Sequence, residues 1–259
     1  MTTSIRQPHT RRGLIRGIAL SAAAYSTKGV FAEALTLTAR LTEGPYYPDK
    51  MPLDTDNDLL IVNDSITPAV GEITHLTGRV LSPAGEPVRN AFVEIWQVDS
   101  HASYIHSRGR NPGGYESNFQ CYGRYHTGVD GQYYFRTIKP VPYVLGGMGR
   151  APHIHVAISR NGHRLFTTQV LIRGHEQNAH DGVFQELRDP RARETVLADF
   201  KPIPGSKLGE LAANFDVVFN HTAFEGDDGK LTGGIGKSEG GGPGGRGPGF
   251  GPPPPFRKR

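Results

Sequence analysis

From about Glu72 onward the chain breaks into short runs in which apolar and polar residues alternate, each closed by a turn. Residues 76–81 alternate before Ser82-Pro83-Ala84-Gly85, and residues 91–98 are rich in Phe, Val, Ile and Trp. Period-two patterning with β-branched and aromatic residues predicts strands that bury one face. Residues 122–127 and 133–138 flank Asp130-Gly131, and residues 153–159 and 163–172 flank Asn161-Gly162. Both dipeptides predict hairpins, because Asn or Asp followed by Gly accepts the positive φ angles of a tight turn. A helical pattern is confined to about residues 189–199, and residues 214–220 read as a closing strand. Regularly spaced short strands without intervening helices predict an all-β fold: antiparallel sheets in a β-sandwich core with long loops, over residues 72–225.

Composition changes the picture at the two ends. Many of the 34 glycines and 20 prolines lie beyond residue 226, in a stretch ending Pro252-Pro253-Pro254-Pro255-Phe256-Arg257-Lys258-Arg259. Too few apolar residues are present there to offset the entropy of ordering, so residues 226–259 are expected to be a disordered Gly/Pro-rich tail. Gly236-Lys237-Ser238 resembles the end of a phosphate loop, but Leu231 stands where that motif needs its first glycine. At the other end, Thr10-Arg11-Arg12-Gly13-Leu14-Ile15-Arg16 is a twin-arginine pattern, followed by a modest apolar stretch and a small-residue cleavage site at Val30-Phe31-Ala32. Residues 1–32 therefore read as a twin-arginine-type signal peptide, and the mature protein is expected in the periplasm or outside the cell. Residues 33–71 would then form an N-terminal arm.

The signal also accounts for the charge. Its five cations face no acid, and without them the formal net charge of +4 becomes −1. Nucleic acid is accordingly not an expected partner. No other apolar stretch approaches the ~20 residues needed to span a bilayer, so no stable membrane insertion is expected after signal removal. Cys121, the single cysteine, cannot form an internal disulfide.

Candidate chemistry gathers at His153 and His155. Spaced by two and entering the apolar run Val156-Ala157-Ile158, they project from one face of a strand and aim two imidazoles at one region. That spacing alone fits a metal site or two half-buried histidines on a sheet. Tyr104, in polar loop sequence after Trp96-Gln97, and Tyr143, after Lys139-Pro140-Val141-Pro142, are tyrosines in loops that could converge on the pair. A phenol with an unperturbed pKa of ~10 stays ionised at neutral pH only on a strongly Lewis-acidic ion. Ferric iron is such an ion, whereas zinc sites favour His, Cys and carboxylate.

Val93-Glu94-Ile95-Trp96-Gln97 with Tyr104 eight residues after the tryptophan, Phe135-Arg136-Thr137-Ile138-Lys139-Pro140 followed by Pro142-Tyr143, and Arg150-Ala151-Pro152-His153-Ile154-His155 together resemble the intradiol ring-cleavage dioxygenases. Within that family the chain is most similar to the protocatechuate 3,4-dioxygenases, over about residues 42–219. The resemblance implies that Tyr104, Tyr143, His153 and His155 hold a non-haem Fe(III), Tyr143 and His155 axially and Tyr104 and His153 equatorially. It implies an enzyme that inserts both atoms of O2 into a catecholic, protocatechuate-like aromatic to give a cis,cis-muconate, with Tyr143 as a base toward the substrate. Arg150 matches the family's active-site arginine, whose fixed fork stabilises negative charge on the attacked ring carbon. Gln169 matches a family glutamine near the metal. Thr42-Glu43-Gly44-Pro45-Tyr46 resembles the stretch lining the substrate cavity, making Thr42, Gly44, Pro45, Tyr46 and Arg150 substrate-binding candidates.

Two features depart from the family pattern. Protocatechuate enzymes divide ligands and cavity between two related chains, whereas this one carries both, which leaves a homo-oligomer or a self-sufficient monomer. An export signal and a Gly/Pro tail are foreign to cytoplasmic aromatic catabolism. The alternatives are an exported, non-enzymatic β-sandwich that binds carbohydrate or acts as a spacer, and a zinc hydrolase using only the two histidines. His101, His106, His126, His163, His175 and His180 have no paired ligand spacing and are assigned no metal, and Trp96 is expected in the core.

Overall fold

The computed structural model describes residues 34–63, 67–145 and 147–220, together with the paired two-residue strands Phe224–Glu225 and Leu231–Thr232. The signal segment lies outside the described residues, as does the tail apart from Leu231–Thr232. The remainder is mostly strand. One five-stranded sheet is built on β1 (Ile73–Leu81), which pairs with β4 (Gln132–Ile138) on one side and with β11 (Leu211–Asn214) and β12 (Val217–Val218) on the other; β10 (Phe200–Pro202) extends it beyond β11. The second has the order β3 (Tyr122–His126), β2 (Phe92–Trp96), β7 (His153–Arg160), β8 (His163–Ile172), β9 (Leu197–Ala198). A separate ribbon pairs β5 (Tyr143–Leu145) with β6 (Met148–Arg150).

Period-two alternation explains the layers. Leu76, Val80, Tyr133 and Phe135 of the first sheet share one buried cluster with Val93, Ile95, Ile154, Val156, Ile158 and Val170 of the second. Burying each such side chain contributes roughly 1.5–3 kcal/mol, enough to dictate which face of each strand turns inward. Since Ile154 and Val156 point into the sandwich, His153 and His155 must point out of it. The outer face of the second sheet is therefore where the chemistry collects. Strands β11 and β12 behave as one strand broken at Phe215, whose carbonyl comes so close to β1 that a Cβ on Gly78 would sit 1.9 Å from it. Only glycine fits there.

Three sequence expectations need correction. The Asp130-Gly131 turn does not join a hairpin: β3 pairs with β2 and β4 with β1, so the chain crosses between sheets there. Gly131 does adopt a φ of +71°, but its carbonyl accepts from Val80 N–H, docking the turn on β1. Turn chemistry is local, whereas strand partners are chosen by which apolar faces meet. Asn161-Gly162, by contrast, forms a two-residue turn with φ of 50° and 79° between paired Arg160 and His163.

The sheets are also not purely antiparallel, because β11 and β12 run parallel to β1 and β9 parallel to β8. After β8 the chain loops back to set β9 beside the last two residues of β8, Leu171 and Ile172, whereas β11 begins beside Thr74, near the start of β1. Finally, the helical stretch shrinks to Pro190–Glu194, capped by Asp189. Beyond it Val196 and Ala198 are buried while Leu197 is less so, an alternation that the strand β9 satisfies and a helix would not. A 3-10 turn at Glu176–His180 and a short helix at Gly182–Glu186 precede it.

Candidate metal centre

Sheet register assembles the floor of the site. Tyr122, Trp96, His155 and Gln169 stand side by side across β3, β2, β7 and β8, all on the outer face. Trp96 is fully buried, but against the site and not in the sandwich core: its indole stacks on His155, centroids 4.6 Å apart and planes within 5°. His153 lies one step nearer the start of β7. Tyr143 and Arg150 are opposed across the β5–β6 ribbon, which places both at the rim. Tyr104 is delivered by the loop after β2, which folds around buried Asp99: its carboxylate accepts the backbone N–H groups of His101 (2.8 Å), Ser103 (2.9 Å) and Glu116 (2.6 Å). The polar composition of that loop thus has a structural use.

Four donor atoms converge. Tyr104 Oη lies 3.2 Å from Tyr143 Oη, 3.4 Å from His153 Nε2 and 3.0 Å from His155 Nε2, and the two Nε2 atoms are 3.2 Å apart. All four side chains are buried. Burial and the charge of Arg150 push the His153 imidazolium down to about 3, and burial with the neighbouring His153 pushes His155 well below its usual range. Burial raises both phenols, for Tyr104 helped by the facing Tyr143. Left to themselves the four groups are neutral: two imidazoles with lone pairs and two protonated phenols.

The donor set fits a compact, highly charged cation. Ala151 O accepts from His153 Nδ1 at 2.7 Å, and since a carbonyl only accepts, the lone pair of that ring is on Nε2, facing the other donors. Donors about 2.1 Å from a common centre are separated by about 3.0 Å at right angles and about 3.4 Å at tetrahedral ones, the span of these contacts. Two hard phenolic oxygens favour a trivalent ion over zinc. Among the described residues no cluster of three or more His, Cys, Asp or Glu side chains could hold a metal, so the two tyrosine oxygens are needed to complete this donor set.

Beside the donors opens a cavity of 480 Å³ whose wall includes Tyr143, Arg150, Ala102, Asn111, Gln177 and His180. That volume lies within the ordinary range for small-molecule sites. Arg150 is gripped from two sides: its Nε–H donates to Asp181 Oδ2 (2.9 Å) and its Nη2–H to Gln169 Oε1 (2.6 Å). Gln169 in turn donates to Thr42 O at 2.8 Å. Burial opposes ionisation of Asp181, but the Phe184 amide and the Arg150 charge outweigh it and hold its carboxyl below the usual carboxylate range.

The arm passes behind the donors. Gly44 is close enough to His155 that a Cβ would lie 3.4 Å from the ring, Tyr46 stacks on Tyr104 at 5.1 Å, and Pro45 is exposed. Thr42, Gly44, Pro45 and Tyr46 are not among the described residues of the cavity wall. Sequence reasoning missed Asp181, thirty-one residues from Arg150; the only local signal is that an Asp three residues before Phe184 suits a helix cap, which its Oδ1 supplies at 2.9 Å. It also missed Glu94, which accepts from Tyr47 (2.7 Å) and Tyr122 (2.6 Å) beneath Trp96.

Comparison with known proteins bears on this geometry. Residues 42–220 match a family model described as Dioxygenase. The chain is 34% identical over 154 residues to a protocatechuate 3,4-dioxygenase beta chain of Burkholderia cepacia, covering 58% of this chain and 65% of that one. It is 30% identical over 194 residues to the corresponding alpha chain of Pseudomonas putida, covering 71% of this chain and 92% of the relative. Among solved structures, the dioxygenase domain of a dioxygenase carbohydrate-binding protein fusion from Streptomyces sp. SirexAA-E superposes with a TM-score of 0.53 at 25% identity, covering 71% of this chain and 99% of that domain. The chain spans less than two thirds of the length of the first curated relatives it matches.

Proposed function

The chain belongs to the intradiol ring-cleavage dioxygenase family, and from that premise we propose that it is a non-haem Fe(III) enzyme inserting both atoms of O2 into a catecholic aromatic to give a cis,cis-muconate. The single observation that supports it is the convergence of Tyr143, His153 and His155 on the Tyr104 oxygen at 3.0–3.4 Å, with the two histidine Nε2 atoms 3.2 Å apart, beside a cavity large enough for the substrate. Those four residues would hold the ion. Bound ferric iron supplies Lewis acidity that keeps coordinated oxygens deprotonated and an electronic path between ring and dioxygen.

The protein's own groups do the rest. Tyr143, the donor that also lines the cavity, is placed to take a proton on Oη from a substrate hydroxyl as the substrate enters. Arg150, in the same wall, presents a charged fork to negative charge developing on the ring. Gln169 keeps that fork in orientation and, through Thr42, ties it to the arm. Tyr46, packed on the Tyr104 ring, and Gly44, leaving room beside His155, shape the donor cluster from behind. Protocatechuate-like acids are the first substrates we propose, given the similarity to protocatechuate 3,4-dioxygenase chains. We further propose export through the twin-arginine-type signal and assembly, where it occurs, as a homo-oligomer, since one chain carries ligands and arm together. The non-enzymatic sandwich is not favoured, because the relatives are ring-cleaving dioxygenases.

A visible spectrum and iron assay of the purified protein, followed by oxygen uptake with protocatechuate, catechol and hydroxyquinol, test this. The expected result is a coloured ferric protein, one iron per chain, that consumes O2 with at least one of them. A colourless protein that takes up no ferric iron and consumes no O2 would end the proposal.

A further inference from the structure

We infer that Asp181 is a positioning residue that sets both the arginine and one histidine of the centre through a single carboxylate oxygen; the inference rests on the dioxygenase function proposed above. Asp181 is wholly buried. Its Oδ2 accepts from Arg150 Nε at 2.9 Å and from Ala151 N at 2.8 Å, while Oδ1 accepts from Phe184 N at 2.9 Å. The same Ala151 offers its carbonyl to His153 Nδ1 at 2.7 Å. One residue, Ala151, is thus pinned at its N–H by the carboxylate and at its C=O pins the imidazole. A change at Asp181 is felt by Arg150 directly and by His153 through one intervening residue.

The two grips on Arg150 differ in kind. Gln169 contributes a neutral acceptor on one Nη, at 2.6 Å, whereas Asp181 contributes charge on Nε. Together they fix the guanidinium plane while Arg150 remains in the cavity wall. The charge matters beyond geometry, because an unbalanced guanidinium beside two buried imidazoles and a metal cation would repel the cation. An amide cannot replace the carboxylate. All three contacts are N–H donors, so the NH2 of an asparagine would face either Phe184 N–H or the Arg150 and Ala151 pair, donor against donor.

The experiment compares the full-length, iron-loaded parent with Asp181→Asn, Asp181→Glu, Arg150→Lys and the Asp181→Asn/Arg150→Lys double variant. Two quantities are read: steady-state oxygen uptake with the best catechol, and the rate at which a chelator strips the iron. Partners that orient a ligand typically carry about 10–100-fold in activity or metal affinity. Asp181→Asn should therefore lower kcat by about 10–100-fold with KM moved by less than about threefold, and release iron several-fold faster. In the Arg150→Lys background the same change should cost much less in kcat yet still accelerate iron release, since the path through Ala151 remains. Asp181→Glu, which keeps the charge but moves it by one methylene, should recover iron retention better than kcat.

Turnover and iron release both within twofold of the parent in Asp181→Asn would overturn the inference. So would an undiminished loss of kcat in the Arg150→Lys background, the mark of a purely structural residue. Should Asp181→Asn fail to fold, Asp181→Glu carries the comparison, and an unchanged kcat in it counts against the role. A parent that neither binds iron nor consumes O2 instead overturns the dioxygenase function itself.

Discussion

Glu94 offers the sharpest test of how the arm is fastened over the centre. Its nearly buried carboxylate accepts four hydrogen bonds: Tyr47 and Tyr122 hydroxyls on Oε1, and Ser159 Oγ (3.0 Å) and Arg164 Nη2 (3.2 Å) on Oε2. Tyr47 comes from the arm, and the other three from β3, β7 and β8. Glu94→Gln keeps the shape but removes the charge and turns one acceptor end into a donor. Arg164 cannot accept a hydrogen bond, so the amide oxygen must face it and the NH2 must face two hydroxyls that were donating. The loss combines a charge-assisted hydrogen bond, about 1.5–3 kcal/mol, with a partly uncompensated Arg164. Breaking a buried pair outright costs about 3–5 kcal/mol, but Glu43 still pairs with Arg164, so about 3 kcal/mol in all is expected. For a domain of this size that is a fall in Tm of about 6–12 °C. Tyr47→Phe and Tyr122→Phe, each removing one neutral donor, should cost about 1 kcal/mol. Thermal and urea unfolding followed by circular dichroism measures all three. A Glu94→Gln shift below about 2 °C, or one no larger than those of the Phe variants, would refute the argument.

Tyr143→Phe removes one phenolic donor and should bleach or shift the visible absorption of the iron-loaded protein and slow turnover; an unchanged spectrum and rate would remove Tyr143 from the donor set. Gly78→Ala drives a Cβ to within 1.9 Å of the Phe215 carbonyl, backbone against backbone, and should cost about 3 kcal/mol or more in urea unfolding. A midpoint equal to the parent's would mean β1 and the break at Phe215 are not so closely apposed. Asp181 is ionised in the folded state below its unfolded range near ~4, so its contribution is complete above that value and disappears as pH falls through the lower folded value. As pH falls below about 5 the parent should therefore lose more stability than Asp181→Asn. Parallel losses in the two would show that the carboxylate is not held in its charged form.

The order of strands along the chain was legible because burial of one face imposes a period of two that any reader of the sequence can see. Asn161-Gly162 announced its hairpin for an equally local reason. Asp130-Gly131 misled because the same local signal serves a crossing between sheets, and the partners of β3 and β4 are picked by apolar faces far apart in sequence. Trp96, read as core, is fully buried as expected, but in the cluster on the outer face where it stacks on His155: apolarity says that a side chain is buried, not on which side of the sheet.

What the chain decides by itself is chemistry and periodicity. Four donor residues of two types, the charged fork of Arg150 and the alternation that turns His153 and His155 to one face are properties of residue identity and strand geometry, and they are written in order along the sequence. Tertiary structure alone decides which distant groups meet. Asp181 joins Arg150 and Ala151, Glu94 joins the arm to three strands, and the Tyr104 and Tyr143 oxygens come within 3.2 Å, because sheet register and the burial of shared apolar faces are long-range terms that no local pattern encodes.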